Sequence, residues 1–344
     1  MEIRLTQFSH GAGCGCKLAP GVLTDILKGN MVFPTANILV GNSDRDDAAA
    51  YLLGQDQVLL STTDFFMPVV DDAYDFGRIA AANAISDIYA MGGRPILALA
   101  ILGWPIAKLP VEIANQVIAG ARAVAAEAEI TIAGGHSIDS EEPIFGLAVN
   151  GLVSAKNLRR NSTAEAGDIL LLTKPLGIGI HSTAIKKSLL KKEHEGLAVK
   201  QMTTLNKIGH ALADIPGVHA MTDVTGFGLA GHLLEMITPR KLGAKVEFEK
   251  LPLLPGLEDY IAEKAVPGGS ERNFRSFGDR LRGAEDDYRR SVVCDPQTSG
   301  GLLVAVKPDS LAAVEKVFRE TGGNAGFHII GGITTENPGV MSLV

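Results

Sequence analysis

Short apolar runs alternate along this chain with longer stretches of helical periodicity, and that alternation most restricts how it can fold. Val58–Thr63 and Ile96–Leu102 read as buried strands, Phe76–Met91 and Val111–Glu129 as helices, and Ile130–Ala133 and Ile144–Val153 as strands again. Strands that alternate with helices bury their apolar faces by stacking as layers, so roughly the first 155 residues are expected to form an α/β unit. The polar stretch Ser154–Gly167, with Lys156, Arg159, Arg160, Asn161 and Glu165, reads as a linker. A second α/β region follows, with strands at Ile169–Thr173, Val218–Thr222, Leu302–Val306 and Ile329–Ile333. Its helices are expected near Ile180–Leu190, Thr203–Ala213, Leu229–Ile237 and Pro308–Glu320. Gly268–Tyr288 is charged and weakly periodic, and is expected as a long loop. The division predicted is an N-terminal segment 1–43, a domain 44–155 and a domain 156–344, which suits a length of about 150 residues per domain.

Composition excludes several classes. The net charge of −7, with no basic cluster interleaved with aromatics, argues against a nucleic-acid surface. The longest apolar stretch, Pro95–Ala107, is shorter than the ~18 residues of a membrane span, so no membrane partner is expected. The opening Met-Glu-Ile-Arg has no hydrophobic signal core, and three cysteines make no disulfide framework. A reducing, cytoplasmic setting is expected.

Two features carry chemistry. The first is a set of aspartates at the ends of the apolar elements: Asp44, Asp46 and Asp47 in Gly-Asn-Ser-Asp-Arg-Asp-Asp, Asp64 closing Ser-Thr-Thr-Asp, Asp87 in a helix otherwise apolar, and Asp223 after a strand. Asn83 precedes Asp87 by four residues and shares its helix face. A carboxylate in an apolar setting needs a cation or donors; for Asp87 the structural alternative is an ion pair with Arg78. Converging carboxylates are compatible with a polyphosphate only if divalent cations lie between them, and Mg²⁺ favours carboxylate, water and phosphate oxygens. Gly-rich turns at Ala133–Ser137, Leu176–Gly179 and Thr298–Gly301 fit metal–nucleotide chemistry, each being a weak signal alone.

The second feature is His10-Gly-Ala-Gly-Cys-Gly-Cys-Lys17, where alternating glycines disfavour regular structure and predict a loop that moves or admits a ligand. Lys17 beside Cys14 and Cys16 is expected to favour a reactive thiolate. The spacing fits neither a P-loop nor a zinc site, because Leu18 follows the lysine and Cys294 stands alone.

Together these motifs, with Asn83–Gly93, Ala133–Ser137, Met221–Gly228 and Cys294–Gly301, resemble the selenophosphate synthetase family in order and over nearly the whole chain. The later motifs are shared in part with a wider superfamily of ATP-using synthetases; the Gly/Cys/Lys loop singles out the selenium enzymes. The resemblance implies a two-domain fold of the aminoimidazole-ribonucleotide-synthetase type, with the N-terminal sheets of two subunits paired in a homodimer. It implies Mg²⁺-dependent conversion of ATP, selenide and water to selenophosphate, phosphate and AMP. By the same resemblance Cys14 is the catalytic cysteine and Lys17 the essential nucleotide-contacting lysine. Asp47, Asp87 and Asp223 are then the Mg²⁺ ligands. Asp44, Arg45, Asp46, Asp64, Asp87, Gly135, His136 and Ser137 are nucleotide-binding positions, the last three reaching ATP across the dimer. Two rivals are a different ATP-using member of the superfamily, disfavoured by the thiol loop, and a non-catalytic thiol carrier of selenium or metal, disfavoured by the distributed aspartates.

Overall fold

The computed structural model describes residues 3–17, 22, 25–26, 35–41, 46–321 and 326–344. The first sheet is built from β1 (Ile38–Val40), β2 (Ala49–Leu52), β3 (Gln57–Phe66), β4 (Arg94–Trp104), β5 (Ile132–Asp139) and β6 (Ile144–Ser154). They lie in the order β1-β2-β3-β6-β4-β5. Every pairing is antiparallel except β4 with β5, whose crossover carries the helix Val111–Glu127. Along β3, Val58, Leu60 and Phe66 are buried while Gln57, Ser61, Thr63 and Phe65 are exposed. That alternation covers one face with helices and leaves the other bare.

The helix Ala73–Ala90 is the pivot of the molecule. Asp72 caps it, accepting from the Asp75 amide at 2.7 Å. Nearly its whole circumference is buried, from Phe76 and Ile79 to Asn83, Ser86 and Asp87. A helix buried all round must lie between two layers: here it packs on the first sheet, on Val111–Glu127 and on the second domain. It meets Val111–Glu127 at glycines. A Cβ on Gly77 would stand 1.8 Å from the Val117 carbonyl oxygen, and one on Gly120 1.9 Å from that of Tyr74. Only glycine permits backbones to approach so closely.

The second sheet contains β7 (Ile169–Leu172), β8 (Val218–Asp223), β9 (Gly243–Val246), β10 (Leu281–Arg282), β11 (Leu302–Val306), β12 (His328–Thr334) and β13 (Met341–Leu343), in the order β10-β13-β9-β12-β7-β11-β8. Edge strand β8 therefore ends on Asp223, next to the pivot helix.

Several expectations are corrected. Gly268–Tyr288 is not a loop: Gly268–Phe277 is a helix, β10 follows, and another helix begins at Asp287. Its glycines and charges hide a buried stripe of Gly269, Ser270, Asn273 and Phe277. The helix expected over Thr203–Ala213 is split into Leu197–Thr203 and Ile208–Leu212. The polar stretch after β6 is packed rather than a free linker. Arg159 is buried and donates to the carbonyls of Ala213 and Ile215, and Arg160 bridges Ala220.

Candidate active site

Three carboxylates from different parts of the chain converge where the domains meet. Asp47 precedes β2, Asp87 lies near the end of the pivot helix, and Asp223 ends β8. They offer ligand oxygens all within 4.8 Å of one another. Hydroxyl side chains hold each in place. Thr62 on β3 donates to Asp87 Oδ2 at 2.5 Å, Thr222 donates to Asp47 Oδ1 at 2.8 Å, and Ser86 donates to Asp223 Oδ2 at 2.6 Å. Asn206 in turn donates to Ser86 Oγ and to the Gly300 carbonyl. Arg78, the structural alternative for Asp87, pairs instead with Asp75 at 2.8 Å.

This arrangement is electrostatically strained. Burial, followed by the charge of Asp223, holds the Asp47 carboxyl well above the usual carboxylate range. Burial and then Asp64 do the same for Asp87, and burial brings Asp223 up to about 6. Asp47 Oδ2 is buried with no partner among the described residues. An oxygen-only set with a spare buried oxygen fits a hard divalent cation such as Mg²⁺.

The Gly/Cys/Lys segment lies across this cluster. Arg4 and Thr6 bind Asp71, His10 binds Glu142 at 2.8 Å, and the Gly13 amide donates to the Met67 carbonyl, all on the first domain. On the second domain, Arg272 donates to the Gly15 carbonyl at 2.6 Å and Thr298 Oγ1 accepts from the Cys14 amide at 3.1 Å. Cys14 is only 2% exposed, and its thiol donates to Asn83 Oδ1 at 3.1 Å. Asn83 donates to Asp64 Oδ2 at 2.6 Å, and Lys17 Nζ lies 3.5 Å from Asp64 Oδ1. One amide thus links the thiol to the carboxylate that holds the lysine, which still leaves the Lys17 side chain 40% exposed. Asp64 pushes the Lys17 ammonium above its ordinary value. The thiolate expectation is corrected in this docked arrangement. Burial pushes the Cys14 thiol well up and outweighs the opposite pull of Lys17.

Gly226 is the floor under this segment. A Cβ there would stand 2.8 Å from the Cys14 carbonyl oxygen and 3.2 Å from Lys17 Cδ, while Gly226 itself lies outside the left-handed region. Gly226→Ala is therefore expected to fold normally but to unseat the segment. Overpacking by one methyl costs about 1–3 kcal/mol, which should raise the rate of Cys14 alkylation roughly fivefold to a hundredfold at an unchanged melting temperature. Peptide mapping after timed alkylation measures this, and an unchanged rate would refute the close packing.

The other expected positions are scattered. Asp46 accepts from the Asn161 amide at 3.1 Å, beside Asp47 but turned toward the second domain. Asp44 and Arg45 lie outside the described residues. Gly135, His136 and Ser137 are exposed on edge strand β5. Strands β4 and β6 separate them from β3, three strand spacings or about 14 Å away, so one chain does not bring them to the aspartates. Cys294 is buried, its thiol pushed up to about 12 by burial, and it joins no cluster of metal-ligating groups among the described residues. Sequence reasoning missed the hydroxyl holders Thr62, Ser86, Thr222 and Thr298. It also missed Lys174, which is 2% exposed and donates to the carbonyls of Thr204 and Ser299. The available signal was adjacency, because Thr222 and Ser86 each stand next to an aspartate of the cluster.

The N-terminal domain model of AIR synthase related proteins matches residues 45–153, and the C-terminal domain model matches 165–343. The selenide, water dikinase of Aeromonas hydrophila is 60% identical over 322 residues, covering 93% of both chains. The Escherichia coli protein of the same name is 58% identical over 322 residues, 93% of this chain and 92% of that one. The chain belongs to the selenide, water dikinase family. The wider fold is shared by a thiamine-monophosphate kinase from Stenotrophomonas maltophilia, with TM-score 0.66 and 19% identity over 95% of this chain and 96% of that one. An ATP complex of the hydrogenase maturation protein HypE also shares it, with TM-score 0.62 and 17% identity over 97% and 90%. No described helix is long and apolar enough to cross a membrane.

Proposed function

We propose that this chain makes selenophosphate from selenide, ATP and water, with release of AMP and phosphate. One observation carries the reading: a buried thiol and a lysine are docked, through Asn83 and Asp64, onto three convergent carboxylates. A thiol carrier has no use for such a cluster. A plain kinase of this fold has no use for the thiol.

Asp47, Asp87 and Asp223 would hold Mg²⁺, which supplies charge neutralisation for the triphosphate when bound. The rest falls to the protein. Lys17, held by Asp64, presents an ammonium to the transferring phosphoryl group. Asp46 and Asp64 would border the nucleotide; Asp44 and Arg45, given the same role by the resemblance, lie outside the described residues. The docked segment excludes bulk water from the first transfer, and Cys14 positions selenium. The ADP-level nucleotide stays enclosed until water converts it to AMP and phosphate. The reaction belongs to the cytoplasm, where thiols stay reduced. Incubation with ATP and Mg²⁺, with and without selenide, tests the reading: AMP formed only with selenide supports it, and ADP as the final product refutes it.

The functional unit is a homodimer in this reading, paired through the first sheet. The uncovered face of that sheet exposes Phe65 (53%), Leu99 (41%) and Ile138 (60%), an apolar patch a monomer rarely leaves bare. His136 pairs with Ile101 in the same sheet, so pairing of two sheets would bring Gly135–Ser137 toward the partner's nucleotide. Phe65→Asp should halve the sedimenting mass, and a mass of one chain for the unaltered protein would refute the dimer.

A further inference from the structure

Selenide reaches the active site as a small soft anion, and on the reading above it must find donors beside Cys14 in a site dominated by carboxylates. The turn Thr298-Ser299-Gly300-Gly301 carries features that its role as a connection into β11 does not require. Ser299 has φ +50°, the left-handed region that a non-glycine residue enters only when its surroundings hold it there. They do: its amide donates to Asn83 Oδ1 at 2.7 Å, and its carbonyl accepts from Lys174 Nζ at 2.9 Å. Asn206 fixes the next carbonyl, that of Gly300, at 2.9 Å. Yet the Ser299 hydroxyl, in a residue 1% exposed, has no partner among the described residues. A buried hydroxyl left unsatisfied on a backbone strained and clamped from both sides is a donor kept for something else.

Its neighbours say what. The Cys14 thiol and the Ser299 amide meet on the same acceptor, Asn83 Oδ1, so the turn and the sulfur are adjacent. Thr298 Oγ1 accepts from the Cys14 amide at 3.1 Å, which sets a second hydroxyl beside Cys14. Lys174 donates to the Ser299 carbonyl, and burial pulls its ammonium down to about 7, so at neutral pH it carries only part of a positive charge. Two hydroxyls beside a thiol suit a soft monoanion that is larger than hydroxide and forms weak hydrogen bonds.

We propose that Thr298 and Ser299 form the subsite for the selenide anion, hydrogen-bonding it through their hydroxyls beside Cys14. The proposal rests on the selenophosphate reading of the site. It separates selenide recognition, on the 298–301 turn, from nucleotide–metal recognition, on the aspartates. Ser299→Gly tests it, because glycine accepts φ +50° without strain and removes the hydroxyl together with its single methylene. Losing a hydrogen bond to a charged ligand should raise KM for selenide roughly tenfold to a hundredfold, leaving KM for ATP, kcat and the melting temperature unchanged. Anaerobic calorimetry of hydroselenide binding, with a non-hydrolysable ATP analogue present, should show the same loss without turnover. A merely structural role would move the melting temperature and KM for ATP instead. Unchanged selenide affinity in both measurements overturns the subsite while leaving the reaction standing. Absence of selenide-dependent AMP from the unaltered protein overturns both.

Discussion

Asp87→Ala is expected to abolish AMP formation, by about 10³-fold or more, while making the metal-free protein more stable. The two effects have one cause. Asp87 is 7% exposed, has Thr62 as donor, and faces Asp47 and Asp223, while Lys17 offsets its burial only in part. Its carboxyl is raised well above the usual range by burial and by Asp64. A carboxylate whose pKa is higher folded than unfolded binds more protons when folded. It therefore weakens the fold progressively as pH rises from the unfolded value toward the folded one. Replacing it with the best helix former, in a helix already rich in alanine, removes that penalty at neutral pH, worth roughly 1–2 kcal/mol or a few degrees of melting temperature. Mg²⁺ should raise the melting temperature of the unaltered protein and do little for the variant. Scanning calorimetry with and without Mg²⁺, beside an AMP assay, reads both effects. Lost activity with an intact Mg²⁺ shift would place the metal elsewhere.

The second large effect is expected at Cys14. Serine keeps a donor for Asn83 Oδ1 and nearly the same volume, so Cys14→Ser should leave the segment docked and ATP affinity within about twofold. It removes the polarisable sulfur, and selenide-dependent AMP formation should fall by about 10³-fold. Nucleotide binding by fluorescence and AMP by chromatography separate the two. An active Cys14→Ser enzyme would remove the thiol from the chemistry. Burial pushes the Cys14 thiol well up here, so a thiolate role belongs to a more hydrated arrangement, one in which Lys17 outweighs the cost of burial.

Much of this site was legible in the chain because acidic residues in apolar runs violate the pattern around them. Asp87 among Ala84, Ile85 and Ile88, or Asp223 after Ala220 and Met221, has no local reason to be there. What could not be read is what holds them. Thr222 donates to Asp47 across 175 positions, and Ser299 meets Asn83 across 216. Such pairs are set by the docking of β8 and the 298–301 turn against the pivot helix, and no periodicity encodes them. The same limit explains the helix Gly268–Phe277. Its glycines and charges argue locally for a loop, but Asn273 fixes it from within by donating to the carbonyls of Gly226 and Cys294. Adjacency of Lys17 to the cysteines is visible in the chain, whereas the burial that raises the Cys14 thiol is not.

Phosphorus NMR of a reaction containing the protein, ATP, Mg²⁺ and selenide enriched in its magnetic isotope tests the central claim most directly. The account predicts a new phosphorus signal split by coupling to selenium, growing in step with AMP. Inorganic phosphate and ADP as the only new signals would contradict it.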